Sequence, residues 1–209
     1  MALYVGEHAS AEELRDDWVL IHELIHIGSP FVPRAPWLTE GLATYFEPLI
    51  RARVGLQSEQ AMWREFVTYM PRGASVMRSS GLSRGGFRGW YWGGALLMLL
   101  TDVEMRRASH GARGLEDCLR DVRHSLGNYR RIVALERMVS ACDAAVGGRA
   151  LGEMVERYAR RAGEIDLDGL WRDLGVALVG DTIELDDTAP LASLRKAIVH
   201  NGLPAGAPR

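Results

Sequence analysis

Residues 22–26 read His22-Glu23-Leu24-Ile25-His26, inside a run from Trp18 to Ile27 that is otherwise apolar. Such a run predicts a helix, and helical residues four apart share a face one turn from each other. The two imidazoles therefore face a common point. Any fold for this chain must bring another element across that point or leave two histidines on an apolar helix without partners. Both can reach a single metal ion, and Glu23, the next residue round the helix, can flank the ion without ligating it. The plain alternative is a helix whose histidines are ordinary core or surface residues.

A catalytic zinc site takes three protein ligands and keeps one position open. The third ligand must come from outside the first helix. Glu40 lies in Trp37-Leu38-Thr39-Glu40-Gly41-Leu42-Ala43-Thr44-Tyr45, after a segment with three prolines between Ser29 and Pro36. A turn of that size can fold a second helix back on the first. Glu12, Asp16 and Asp17 share the first helix and lie too far along it, and Glu47 is the best rival on the second. The alternative for Glu40 is a helix-start carboxylate favoured by the dipole.

Around these residues the sequence predicts a mainly α fold. Ser10 with Glu13 makes a capping-box pattern that starts a helix near Ala11, with Leu14, Trp18, Ile21 and Ile25 on one apolar face and Gly28 at its end. A second helix begins near Thr39 and runs through Tyr45, with Pro48 limiting or kinking it. A third covers Ser58 to Met70 and ends at Pro71. Arg72 to Gly89, with five glycines, reads as a long irregular loop. An apolar helix follows from Trp90 to Ser109. Further helices are expected at Leu115–Leu126, Tyr129–Val146, Leu151–Arg161 and Pro190–Val199. Val176 to Leu185 reads as a hairpin turning at Gly180-Asp181, and Leu3-Tyr4-Val5 as a short strand. Residues from Pro204 onward read as a tail.

The pattern HELIH followed by WLTEGLATYFE resembles the gluzincin metallopeptidases, in particular aminopeptidase N-like and glycyl aminopeptidase-like enzymes. Those read HExxH, a spacer, then WLNEG(F/L)AxYxE. Tyr91-Trp92-Gly93-Gly94-Ala95-Leu96 resembles their YxKGAL segment. The stretch from Leu100 to Asp117 looks like the glycyl aminopeptidase-like pattern LDxxIRRxTGGxxSLDD. The likeness covers about Ser10 to Val122. It implies the helical part of a thermolysin-like (zincin) catalytic domain over residues 1–122. Residues 123–209 would form a helical C-terminal region packed on it in one continuous domain.

The resemblance further implies Zn²⁺ held by His22, His26 and Glu40. Glu23 would be the general base, and the Tyr91 hydroxyl would donate to the oxyanion of the transition state. The implied activity is hydrolysis of peptide or protein substrates, and, at full length, an aminopeptidase. The chain departs from the pattern in three ways. Thr39 stands for asparagine, Gly93 stands for lysine, and the spacer between His26 and Glu40 is 13 residues. The upstream Gly-x-x-Glu-Asn segment that grips a substrate amine in those enzymes has no counterpart here. A gluzincin-derived binding or scaffold module without activity is therefore the competing expectation, and hydrolysis of a non-peptide amide or epoxide a third.

Thr44 and Asp17 are candidates to orient the imidazoles, and Arg84 and Arg88 to meet a substrate carboxylate. His8, His110, His124 and His200 read as surface residues. A formal net charge of −2 gives no general pull toward nucleic acid. Lys196 is the only lysine, which excludes a P-loop. No apolar run is long enough to span a membrane, and no targeting segment stands at the start of the chain. Cys118 and Cys142 form no CxxC; free buried thiols are the expectation, with a bridge between them the alternative.

Overall fold

The computed structural model describes residues 6–200, apart from the side chains of Arg15, Asp16 and Arg88. The strand expected at Leu3-Tyr4-Val5 and the tail from Pro204 lie outside the described residues.

The expected first helix is two helices. Helix α1 (Ala11–Asp16) opens with the capping box: Ser10 Oγ accepts from the Glu13 N–H at 3.2 Å, and the Glu13 carboxylate accepts from the Ser10 N–H at 2.8 Å. Asp17 leaves the helical region at φ −69°, ψ 109° and caps α2 (Trp18–Gly28), accepting from the Val19 N–H at 2.8 Å. Asp17 is therefore occupied at the helix start, not at an imidazole. His22 is the buried residue of α2, whereas Leu14, Trp18, Leu20 and Leu24 are about half exposed. The apolar face expected at Leu14 and Trp18 is thus not a core face.

Helix α3 (Pro36–Arg53) starts with proline at its first position, where the missing N–H costs nothing, and runs on through Pro48. Helix α4 (Glu59–Ser79), capped by Ser58, runs on through Pro71. This corrects the helix end expected at Pro71, while at Pro48 the helix does not stop. A proline inside a helix costs about 3 kcal/mol, but Met70, Gly73 and Met77, on either side of the exposed Pro71, sit on the buried face. Burying that face outweighs the lost hydrogen bond. The expected loop from Arg72 to Gly89 shrinks to residues 80–86, followed by the single turn α5 (Phe87–Trp90).

Helix α6 (Trp92–Ala108) is the central post. Ala95 to Leu99 are fully buried, and α3 and α4 cross it at glycines. A Cβ on Gly41 would lie 2.4 Å from the Gly94 carbonyl carbon, and one on Gly73 would lie 2.5 Å from Gly93 Cα. Below the crossing, Asp102 accepts from Tyr45 Oη (2.7 Å), Arg106 Nε (2.9 Å) and the Leu115 N–H (2.8 Å). Arg106 and Arg53 both pair with Glu116, so this buried ionic network ties α3 and α6 to α7 (Leu115–Leu126).

Helix α8 (Leu135–Val146) begins later than expected, because the preceding residues pair with the segment after α2. Phe31 N–H donates to Arg131 O at 2.8 Å, and Val133 N–H to Phe31 O at 3.0 Å. Cys118 and Cys142 are joined by a disulfide between α7 and α8, correcting the expectation of free thiols. Helix α9 (Ala150–Met154) widens into a π-helical turn at Val155–Ala159. Helix α10 (Leu167–Leu174) is an unexpected addition, capped by Asp166, which accepts from the Gly169 N–H at 2.8 Å. The antiparallel hairpin of β1 (Val176–Val179) and β2 (Thr182–Leu185) turns at Gly180-Asp181, and α11 (Ala192–His200) follows. The fold is mainly helical with one small two-stranded sheet. A single hydrophobic core runs from Val32 to Val199, so residues beyond 123 share it with those before. Among the described residues, no helix is long and apolar enough to cross a membrane.

Candidate metal centre

α2 and α3 meet at their polar residues. His22 Nε2 lies 3.3 Å and His26 Nε2 3.5 Å from the same oxygen, Oε2 of Glu40. One ligand atom from each of the three residues falls within 4.8 Å of the others. Four ligands at about 2.0–2.1 Å around zinc stand about 3.3 Å apart, so the two nitrogen-to-oxygen separations are those of a tetrahedron's edges. The donor set, two imidazole nitrogens and a carboxylate oxygen, also suits zinc. His22, His26 and Glu40 thus fit a metal ion; Glu47, the rival third ligand, is not in the group.

The electrostatics follow from that geometry. Burial would raise the Glu40 carboxyl, but hydrogen bonds from His22 and His26 and their charge outweigh it and hold the group at about 2. In return, the hydrogen bond to Glu40 lifts the His26 imidazole above its usual range, against the opposing effect of burial. Glu23 is half-buried beside the centre. Its charge contributes to the upward shifts of both His26 and Tyr91.

Tyr91 caps α6, and its carbonyl accepts from the Ala95 N–H at 2.7 Å. Its ring stacks on His22, with centroids 6.1 Å apart and planes inclined by 26°. Burial, then the charges of Glu40 and Glu23, raise its phenol, so at neutral pH it is a hydrogen-bond donor. Trp18 meets the other side of His22 edge-on at 5.4 Å.

His22 and Tyr91 open into a cleft of about 1050 Å³. Its floor is the α3 stripe Thr44, Glu47 and Arg51; its far wall is α4, with Glu65, Tyr69 and Arg72. Phe87 and Trp92 complete an aromatic rim. Burial and the neighbouring Glu65 push Glu47 up to about 7 although Arg51 Nη1 lies 3.3 Å from its carboxylate. Burial raises Glu65 as well. Thr44 Oγ1 is buried without a hydrogen-bond partner among the described residues, so it does not orient an imidazole. Compared with protein-family models and with curated proteins, the chain matches none.

Of the remaining expected residues, Arg84 is exposed and is not among those lining the cleft, and the Arg88 side chain lies outside the described residues. His8, His110, His124 and His200 are exposed. A Cβ at Gly93, where the YxKGAL pattern has lysine, would stand 2.6 Å from Leu82 Cδ2, so a side chain there requires Leu82 to shift. Glu65 and Arg51 carried no sequence signal, because nothing local says that α4 returns past the C-terminal half of α3.

Proposed function

We propose that the protein is a zinc-dependent peptidase of the gluzincin type, with a thermolysin-like arrangement of its helical half. The observation that carries this reading is the convergence of His22 and His26 on one oxygen of Glu40, with Tyr91 stacked beside them at the mouth of a large cleft. Zinc bound there would supply Lewis acidity.

The protein's own groups do the rest. A substrate carbonyl enters between Tyr91 and the His22–His26–Glu40 centre. Glu23 takes the proton of the attacking water, acting as a general base worth about 10²–10⁴ in rate. The Tyr91 hydroxyl donates to the carbonyl oxygen as it gains charge, an interaction strongest in the transition state. Glu23 then returns its proton to the leaving amine. Trp18, Phe87 and Trp92 give the cleft an aromatic rim against which apolar parts of a substrate can pack.

The test is the zinc-loaded protein against a broad peptide library, beside Glu23→Gln. The expected result is cleavage by the wild type and a loss of at least 10²-fold in kcat by the variant, both retaining one zinc per chain. Gly93, packed where the related pattern carries lysine, motivates the second reading, a metal-holding scaffold without turnover. Equal and negligible cleavage by the two proteins, with zinc bound to both, establishes that reading instead.

A further inference from the structure

At the far end of the cleft carboxylates from α3 and α4 face each other. Glu47 is 5% exposed and Thr44 7% exposed, and both line the cleft. Thr44 Oγ1 has no partner. Its backbone carbonyl is also without the usual donor four residues on, because that residue is Pro48. From the opposite wall α4 presents Glu65. Arg51 faces both carboxylates, with its Nη1 on Glu47 and its Nε buried without a partner among the described residues, and Gln57 and Arg64 also act on Glu65. The other cation on the lining, Arg72, stands seven residues and about 10 Å further along α4, with its guanidinium 5.0 Å from the Tyr69 ring centroid. One buried carboxylate, one half-buried carboxylate and an orphaned hydroxyl form a place for a group that donates and carries positive charge. Burial holds both Glu47 and Glu65 above the usual carboxylate range.

Distance selects which cation. Glu47 is seven residues beyond Glu40, about 10 Å along the axis of α3. A substrate's free α-amine lies about 2.5 Å from the carbonyl carbon of its own residue, too near the reacting bond to reach that far. The head group of a lysine or arginine lies about 6–7 Å from its Cα, so it covers most of that interval along the α3 floor. We propose that the Thr44–Glu47–Glu65 end of the cleft is a specificity subsite for a lysine or arginine side chain flanking the bond cut at the histidine–glutamate centre. It rests on the hydrolytic reading above.

Two measurements separate the subsite from that reading. The first is calorimetric binding of N-acetyl-argininamide and N-acetyl-norleucinamide to the zinc-loaded protein; both lack a free amine and differ in charge. The arginine compound is expected to bind at least tenfold tighter, as one charge-assisted hydrogen-bonded pair provides. That ratio falls to within about threefold in Glu65→Gln and in Glu47→Gln, with zinc content and circular dichroism unchanged. Equal binding of the two compounds, or a ratio that survives both substitutions, overturns the subsite. So does a preference that appears only when the α-amine is free.

The second is kcat/KM for peptides differing only in arginine, lysine or norleucine beside the scissile bond. A preference of at least tenfold for the basic residues, lost in Glu65→Gln, supports the subsite. Cleavage of all three at one rate leaves hydrolysis standing and removes it. No cleavage, with the arginine preference in binding retained, removes hydrolysis and leaves the cation subsite.

Discussion

The buried carboxylate of the cleft, Glu47, has a cost that can be read without a substrate. Glu47 titrates near 7 in the folded chain, raised by burial and by Glu65 against the pull of Arg51, and near 4.5 when unfolded. Between those values the folded state holds a proton that the unfolded state has lost, so stability falls as pH rises. The contribution of Glu47 is full below pH 4.5 and is lost through the window up to 7. Glu47→Gln removes that titration. Its stability relative to wild type, from urea denaturation, is expected to improve by on the order of 2 kcal/mol between pH 5 and pH 8. A difference independent of pH contradicts the assignment of the shift to Glu47.

At the scale of helices, the centre depends on where α3 and α6 cross, because Glu40 precedes Gly41 and Tyr91 lies three residues before Gly94. The crossing has no clearance: a Cβ on Gly94 would stand 2.0 Å from Trp37 O. Gly94→Ala must part the two helices, which costs about 1–3 kcal/mol by overpacking, and must move Tyr91 away from Glu40. Chemical denaturation and kcat should therefore fall together; a variant of wild-type stability contradicts the close crossing. Much of this layout was legible in residues. The pentapeptide at 22–26 fixes a shared face by helical periodicity alone, and the turn at Gly180-Asp181 follows from local turn chemistry. Pro71 was not legible as an interior residue, because a local rule for proline omits the apolar face that carries α4 past it. Glu65 and Arg51 join the cleft only through the pairing of α3 with α4, which no spacing encodes. The break at Asp17 carries a visible signal, an aspartate two residues before the Val19 N–H it accepts from.

Across the whole molecule, two links join parts that packing alone holds unequally. The Cys118–Cys142 disulfide closes a loop between α7 and α8 at a sequence separation of 24. Nothing in that separation foretold the pairing, which depends on α7 and α8 lying side by side. Replacing both cysteines by serine should lower stability by about 3 kcal/mol, read by denaturation with and without reductant; no change contradicts the bridge. The other link is the metal centre. α2 buries His22 and leaves Trp18, Leu20 and Leu24 about half exposed, so an ion shared by His22, His26 and Glu40 would be its main tie to α3. The most direct measurement is zinc stoichiometry and zinc-edge X-ray absorption on wild type, His26→Ala and Glu40→Ala. One zinc per chain is expected, with two imidazoles and carboxylate oxygen at about 2.0–2.1 Å and an affinity loss of at least about 100-fold in either variant. A folded wild type that takes up no zinc at micromolar metal, or variants that bind it as tightly, would contradict the convergence of these three residues on an ion.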